Sequence, residues 1–391
     1  MSQLKVNTIR HTSASSDAIT LASDGTATAK ITNNLSNRNL IINGAMNVAQ
    51  RGTSSTSAGY TTIDRLSHQL GNTDEAPTFS QADVASGTTP YQKGFRKSHK
   101  ITNGNQTSGA GTSDYIYTRY KMEAQDIANS GWNYLSASSY ITLSFWVKSS
   151  VAQNFYGYLK TSDGTSQNYP FETGSLSADT WTKITKTIPG NSNLQFDNDN
   201  GNGLEISPIR AFDGTDRTAS MSLNTWGTYS SSSRTPDQTS TWYTTNDATL
   251  EITGLQLEVG DVATDFEHRS YGDELRRCQR YYQVLVEGTG KYFGGAGAWY
   301  AASAAYQPIM LESEMRAAPS AEFATGTDYY TVTTTSNDQT QRPAAWSTPH
   351  KRGGSLYYQG GQYDLSNATA GHAFFVSTNN ASAKIAFSAE L

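Results

Sequence analysis

Trp and Tyr side chains set among polar, turn-forming neighbours are the residues whose chemistry is most open to a partner. They are Trp132 and Tyr134 in "NSGWNYLS", Trp242 and Tyr243 in "STWYTT", and Tyr329, Tyr330, Trp346, Tyr357 and Tyr358 further on. A flat ring with a polar tip can stack on the apolar C–H face of a sugar while Asn, Asp and Gln bond the hydroxyls. Taken singly, each ring reads first as packing in a core or between chains; taken together they are the candidate ligand-binding set. Trp146 and Trp181 lie inside strand patterns and are expected to be structural.

Reaction machinery is sparse. The chain has no G-x-S-x-G elbow and no H-E-x-x-H, and "EGTGKY" lacks the upstream glycine of a phosphate-binding loop. His11, His68, His99, His268, His350 and His372 are scattered without metal-ligand spacing. Cys278 is the single cysteine, so an internal disulfide framework is excluded, and it reads as a small apolar residue on a helix face. "DNDNGNG" at 197–203 places Asp197 and Asp199 like the first ligands of a calcium loop. Gly201 then falls where a ligand is needed and Asn202 where the turn glycine belongs, so a polar turn is expected. Glycoside cleavage needs two carboxylates about 5–9.5 Å apart on a rigid frame. That frame is commonly a repetitive β-helix, and the chain shows no internal repeat. No catalytic residue, metal or cofactor is assigned, and the chain is not expected to be an enzyme.

The elements that must hold these residues are β-strands. Of 391 residues only 16% are charged, against 36% hydrophobic, with 33 Gly and 23 Tyr. Polarity without charge favours strands, where Thr and Tyr are enriched and Glu and Lys are not. Seven tryptophans and 11% aromatic content can supply a packed core, which argues against disorder. Length alone suggests two or three domains. A net charge of −5 with no basic cluster argues against nucleic acid, and no apolar run approaches membrane length. "MSQLKVNTIRHTS" lacks a signal peptide's apolar core, so synthesis and retention in a cytosol until assembly or lysis are expected.

Residues 1–38 hold a hairpin, "AITLASDGTATAKI", turned at Asp24-Gly25, with too few apolar residues for a core of their own. Such a segment is expected to be ordered only against other chains. Residues 39–269 read as a jelly-roll β-sandwich of short strands. In "YITLSFWVKSS" Ile141, Leu143, Phe145 and Val147 take one face, opposite Tyr140, Thr142, Ser144, Trp146 and Lys148. "TWTKITKTIPG" gives a second strand with Trp181, Ile184 and Ile188. In "TLEITGLQLEVG" the apolar phase switches at Gly254, from Leu250 and Ile252 to Leu255, Leu257 and Val259, which marks a bulge. A connecting helix is expected over 270–284, starting with Ser270 and Asp273 at capping-box spacing and running to about Tyr282. Leu275, Cys278 and Tyr282 should share its buried side. Residues 285–391 read as a C-terminal β-domain rich in Tyr, Ala and Gly, whose small residues suggest close approach between chains. The fold class is all-β: N-terminal β anchor, jelly-roll sandwich, short helix and C-terminal β-domain.

These fragments carry a resemblance. "NLIINGAMNVAQRGTS", "YTTIDRL", "SFWVKSS", "TIPG", "ITGLQLEVGDVATDFEHRSYGDELRRCQRYY" and "MRAAPS" resemble the tail-fibre and receptor-binding proteins of tailed bacteriophages. The body of that group is similar to carbohydrate-binding-module jelly rolls, and "VNTI" and "SDGT" resemble its N-terminal anchors. The resemblance covers most of the chain, thins after about residue 320, and is most specific in the helix-containing stretch. It implies a homotrimer in the virion, attached through its N-terminus to other phage tail or virion proteins. The C-terminal domain would be the distal tip, offered to a host surface glycan or receptor. The alternatives are a purely structural capsid fibre or baseplate component that binds no receptor, and a glycan-binding or depolymerising bacterial protein. The missing secretion signal weighs against the last.

Overall fold

A computed structural model describes residues 6–29, 37–214, 222–232, 234–301, 304–334, 337–340, 343–359 and 369–391. The protein is all-β, with four short helices among the described residues. Strands β1 (Thr8–Ile9), β2 (Ile19–Leu21) and β3 (Ala27–Ala29) form a small antiparallel meander. Its reversal is the expected Asp24-Gly25 turn: Gly25 has φ +87°, and Asp24 Oδ1 accepts the Thr26 amide at 2.9 Å. Val6, Ile9 and Leu21 stay exposed on it.

The jelly roll follows. Its elements are β4 (Ser54–Ser55), β5 (Leu66–Gly71), β6 (Thr78–Asp83), α1 (Thr89–Gln92), β7 (Lys97–Thr102), β8 (Tyr115–Glu123), α2 (Ala124–Ala128) and β9 (Tyr140–Ser149). Then come β10 (Asn154–Thr161), β11 (Gln167–Ser175), β12 (Thr182–Pro189), β13 (Asn202–Asp213), β14 (Gly227–Thr228), α3 (Thr241–Thr244) and β15 (Thr249–Val259). One sheet runs β14-β11-β10-β13-β8-β5 and the other β12-β9-β15-β7-β6-β4. The chain changes sheet repeatedly, so both sheets contribute to a single core, including Ile141, Leu143, Phe145 and Val147 of β9 as the alternation required. The phase switch at Gly254 is a register shift between Thr253 and Gln256 in the β15–β9 pairing. Gly254 has φ +65°, and a Cβ there would lie 2.6 Å from Phe95 Cζ, so only glycine fits.

Helix α4 (Tyr271–Gln279) leads to β16 (Tyr282–Glu287), β17 (Gly297–Ala301), β18 (Ala304–Met310), β19 (Ser320–Phe323), β20 (Tyr330–Thr333) and β21 (Asn337–Thr340). The last strands are β22 (Ala345–His350), β23 (Gly353–Gln359), β24 (Ala373–Thr378) and β25 (Lys384–Ser388). They build a three-stranded sheet, β16-β25-β19, facing a seven-stranded sheet, β21-β20-β24-β17-β18-β23-β22, around a second core.

Helix α4 is shorter than its pattern suggested. Ser270 Oγ accepts the Asp273 amide at 3.2 Å, while the Asp273 carboxylate takes the Ser270 hydroxyl at 2.6 Å. The cap is therefore a local pair, without the reciprocal backbone bond of a full box. The buried helical residues are Glu274 and Cys278; Leu275 is half-buried, and Tyr282 already belongs to β16. Glu274 replaces leucine as the inward residue because its carboxylate accepts the Asn43 amide at 2.5 Å and pairs with Arg269 at 3.5 Å.

That contact explains the most specific motifs. In "NLIING", Asn39 and Leu40 bond to β15, and Gly44 admits no Cβ because Leu255 O would lie 2.0 Å away. In "DFEHRS", Glu267 accepts the Asn39 amide at 2.8 Å, and the Arg269 guanidinium donates to the Ile41 and Asn39 carbonyls. The two motifs clamp each other. Glu123 of β8 likewise accepts from Arg280 at 2.6 and 2.7 Å and from the Tyr281 hydroxyl at 2.6 Å. Arg316 of "MRAAPS" donates to the carbonyls of Ala389, Asn200 and Glu390, and Arg51 and Arg65 pair with Glu390. These bonds tie the C-terminal sandwich to the jelly roll.

Candidate functional site

The two cores absorb most of the aromatic candidates. Trp132, Trp242, Tyr243, Tyr330 and Tyr358 are buried. Their polar tips are satisfied inside the protein: Trp132 Nε1 donates to Ser139 O, Trp242 Nε1 to Thr249 O, and the Tyr243 hydroxyl to Asp114. The Tyr330 hydroxyl donates to Lys384 O, and that of Tyr358 to Gln307 Oε1 at 2.7 Å. Polar neighbours thus signalled backbone carbonyls and internal acceptors, and these five residues offer no surface to a ligand. Tyr134 lies edge-on to Phe196 at 5.0 Å, half-buried, and Trp346 packs on Phe387 at 4.5 Å. Tyr329 leans on the same core. Tyr357 alone joins an outward aromatic group, with Tyr306 at 5.0 Å and Tyr300 beyond it. Burial first, then a hydrogen bond with Tyr300, raises its hydroxyl pKa.

The outward face of the β10–β13–β8 sheet is not open either. Every residue of β13 after the first is buried, on both faces. The chain that follows β14 on toward α3 lies across it: the Tyr229 ring is 6.5 Å from that of Tyr158, and Arg234 meets Asp213 at 2.5 and 2.8 Å. Beneath it the Arg210 guanidinium carbon sits 3.3 Å from the Tyr117 ring centre, and Arg210 Nε lies 2.8 Å from Asp213 Oδ2. Burial alone would lower the Arg210 pKa, but Asp213 and two tyrosines beside it raise it.

A concave site exists on the opposite sheet, where the sequence pointed to structure. A cavity of about 510 Å³ is lined by Gln92, Lys93, Gly94 and Phe95, by Ser144 and Trp146 of β9, by Lys183 of β12, by Gly254, and by Thr264–His268 without Glu267. This lies within the about 300–1,000 Å³ range of small-molecule sites. Phe95, Phe266 and His268 pack as one aromatic group, with ring centres 4.9–5.1 Å apart. Trp146 is half-buried beside them. The bulge at Gly254 brings Phe95 in, and Gly94, with φ +96°, lies against the His268 ring.

The walls are held firmly. Glu258 accepts the Thr264 amide at 2.9 Å and its hydroxyl at 2.6 Å, Gln256 accepts the Glu267 amide at 2.8 Å, and His268 Nε2 lies 2.9 Å from Lys93 O. At the rim Lys93 and Asp265 form a loose exposed pair at 4.0 Å, and Lys183 is exposed. Apolar ring surface flanked by ammonium, carboxylate, amide and hydroxyl groups is the chemistry that a sugar ring requires. Trp146 could have been read this way from one signal: it stands on the polar face of its strand, opposite the core residues. A larger cleft of about 820 Å³ beside α4 is lined by Arg and Glu, several of them paired, such as Arg269 with Glu267 within it and Glu314 with Arg352 outside it. No Phe, Tyr or Trp lines it. The tempting "DNDNGNG" stretch is a polar turn: Asp199 Oδ1 accepts the Gly201 amide at 2.8 Å, and the Asp197 amide donates to Asp163.

No protein-family model matches the chain, and no curated protein does. Among solved structures, the enzymatically active domain of tailspike protein 4 of bacteriophage CBA120 aligns at 9% identity and TM-score 0.29. The alignment covers 57% of this chain and 21% of that one. The xylan-binding CBM22-1 domain of Paenibacillus barcinonensis Xyn10C aligns at 8% identity and TM-score 0.28, over 60% of this chain and all of that one. The CBM22-1–CBM22-2 tandem of the same enzyme aligns at 9% and 0.28, over 92% and 97% of the two chains. Scores this low carry no argument about function.

Proposed function

We propose that this protein is a phage fibre component that attaches the virion to its host surface by binding glycan, without catalysis. The observation that carries the reading is the Trp146 cavity. It is a pre-formed, aromatic-walled hollow with polar groups at its rim, on a body whose sequence resembles tail-fibre proteins. In this reading the exposed N-terminal meander, which has no core of its own, docks on another virion protein. The chain works as a homotrimer made in the host cytoplasm, and three shallow sites on one particle-bound fibre raise avidity by roughly 10² to 10⁴ where their spacing permits. The distal C-terminal sandwich faces the host and leaves the jelly-roll cavity accessible at its side.

A glycan array probed with the full chain, followed by titration of the best ligand, tests this. Trp146→Ala should weaken binding at least about tenfold, because losing a stacked aromatic costs about 1.5–3 kcal/mol. Tyr357→Ala should leave the per-site affinity unchanged. Equal affinity of the Trp146→Ala and parent chains would remove the cavity from the account. The motifs clamping α4 to the jelly roll are structural throughout, which favours a second reading as a virion spacer. A chain that binds nothing on the array yet is incorporated into particles would establish that one.

A further inference from the structure

Ring surface and hydroxyl partners fit any sugar; the charges of the Trp146 cavity narrow the choice. Its lining carries two lysines, Lys93 and Lys183, against one aspartate, Asp265, on a chain whose net charge is −5. Strand register places Lys183. In the antiparallel pairing of β12 with β9 it stands directly opposite Trp146. Residues so placed share a face, with Cβ atoms about 4.5–5.5 Å apart. The aliphatic stem of Lys183 therefore runs beside the indole, and its ammonium stands in solvent at the cavity's edge.

Other lysines of this sheet are matched to carboxylates. Lys97 stands opposite Asp83 and bonds it at 2.6 Å. Lys148 stands opposite Glu251, with Nζ 2.9 Å from Oε1 and 5.3 Å from the Trp181 ring centre. The carboxylates behind the cavity are enclosed as well: Glu258 accepts from Gln256 and Thr264, and Glu267 from Arg269 and the Asn39 amide. Asp265 is only a loose partner of Lys93. Among the described residues no carboxylate lies within ion-pair distance of Lys183, and no hydrogen bond takes its ammonium.

We infer that the saccharide taken by this cavity is acidic: a sugar ring stacks on Trp146 while its carboxylate, sulfate or phosphate meets the Lys183 ammonium. This rests on the glycan reading above and narrows its ligand class. An ammonium is a compact point charge that takes any of these anions. A bare anion would use the ammonium and leave the rings idle, and a neutral sugar would use the rings and leave the ammonium. An acidic sugar engages both from one side of the sheet.

A glycan array printed in matched pairs tests this on the full chain: uronic-acid, sulfated and phosphorylated oligosaccharides, each beside the same sugar reduced or stripped of its anion. The acidic member of a bound pair should be preferred by at least about threefold, the weight of one ion pair at a partly exposed rim. The pair that shows the preference names the anion. Lys183 is exposed, so Lys183→Gln should keep the parent's far-UV spectrum. That variant should bring the acidic sugar down to the affinity of its neutral form and leave the neutral form unchanged, whereas Lys183→Arg should keep the preference. Trp146→Ala should weaken both members alike. A neutral member bound as tightly as its acid, or a preference that survives Lys183→Gln, would overturn the inference and leave the glycan reading standing. An array on which nothing binds would overturn both.

Discussion

Two sheets of this protein turn a face away from their own core, and they are finished in opposite ways. In the jelly roll the outward face of β13 and its neighbours is charged and aromatic, and the chain covers it with its own segment: Arg210 lies on Tyr117, Asp213 beside Arg210, and Arg234 closes over Asp213. In the C-terminal sandwich the outward face is uncharged and bare, with Met310 and Phe375 in water. The buried Arg210 charge is balanced by Asp213 and the Tyr117 ring within the same chain, so that face is committed to folding one copy. A bare apolar face costs the fold of one copy nothing and gains when another surface dries it. The difference separates a surface that the chain covers with its own segment from one that it leaves in water.

The largest effect should come from breaking the covered face. Asp213→Ala leaves Arg210 buried without its carboxylate, and removing one partner of a buried pair costs about 3–5 kcal/mol. Urea unfolding of the jelly-roll transition should show it; a loss below about 1 kcal/mol would mean the network is slack. The clamp under α4 should be nearly as sensitive. Glu274→Ala strips the Asn43 amide of its acceptor and should cost about 2–3 kcal/mol by the same measurement. Leu275→Asp, at a half-buried position, should cost less.

Acid should act on the jelly roll through its buried histidines. Burial, then His99, holds His68 well below the usual value, and burial pushes His99 down to about 3. Both rings are neutral in the folded chain where the unfolded chain protonates them. Stability is therefore lost as pH falls below about 6.5, by up to about 1.4 kcal/mol per pH unit for each ring. Asp64 opposes this. Burial raises it to about 6, so between about pH 4 and 6 the folded chain holds a proton that the unfolded chain has released, and stability from this group falls as pH rises. The net loss from the three groups over that window is about one proton's slope, and His99→Gln should remove it in urea midpoints taken from pH 6 to 4. An unchanged slope would contradict the burial of His99. On the bare face, Tyr357→Phe removes the hydroxyl of a half-buried ring and its hydrogen bond with Tyr300, and should shift unfolding by about 1 kcal/mol or less.

Strand positions were legible because burial on one face writes a period of two into the sequence, as in β9, and because a bulge flips that period, as at Gly254. The C-terminal strands were legible too, as a stretch rich in Ala, Gly and Tyr. The candidate site was not. Turn-like surroundings of Trp132, Trp242 and Tyr243 resembled exposure, yet turns also supply the carbonyls and acceptors that let a polar-tipped ring be buried. Trp146 was set aside because it lies in a strand, although its place on the polar face meant it could line a cavity. That cavity is assembled from segments at 92–95, 144–146, 183, 254 and 264–268, and no local pattern reports such a convergence. Glu274 escaped for a similar reason: its partners, Asn43 and Arg269, stand 231 and five residues away.

Hydroxyl-radical footprinting of the full chain, read by mass spectrometry with and without the array-selected saccharide, tests the division between the two surfaces directly. The account expects saccharide to shield Trp146 and Phe266 and to leave Met310, Tyr300 and Phe375 as they were. Shielding of Met310 and Phe375 by saccharide, with Trp146 indifferent to it, would contradict the account.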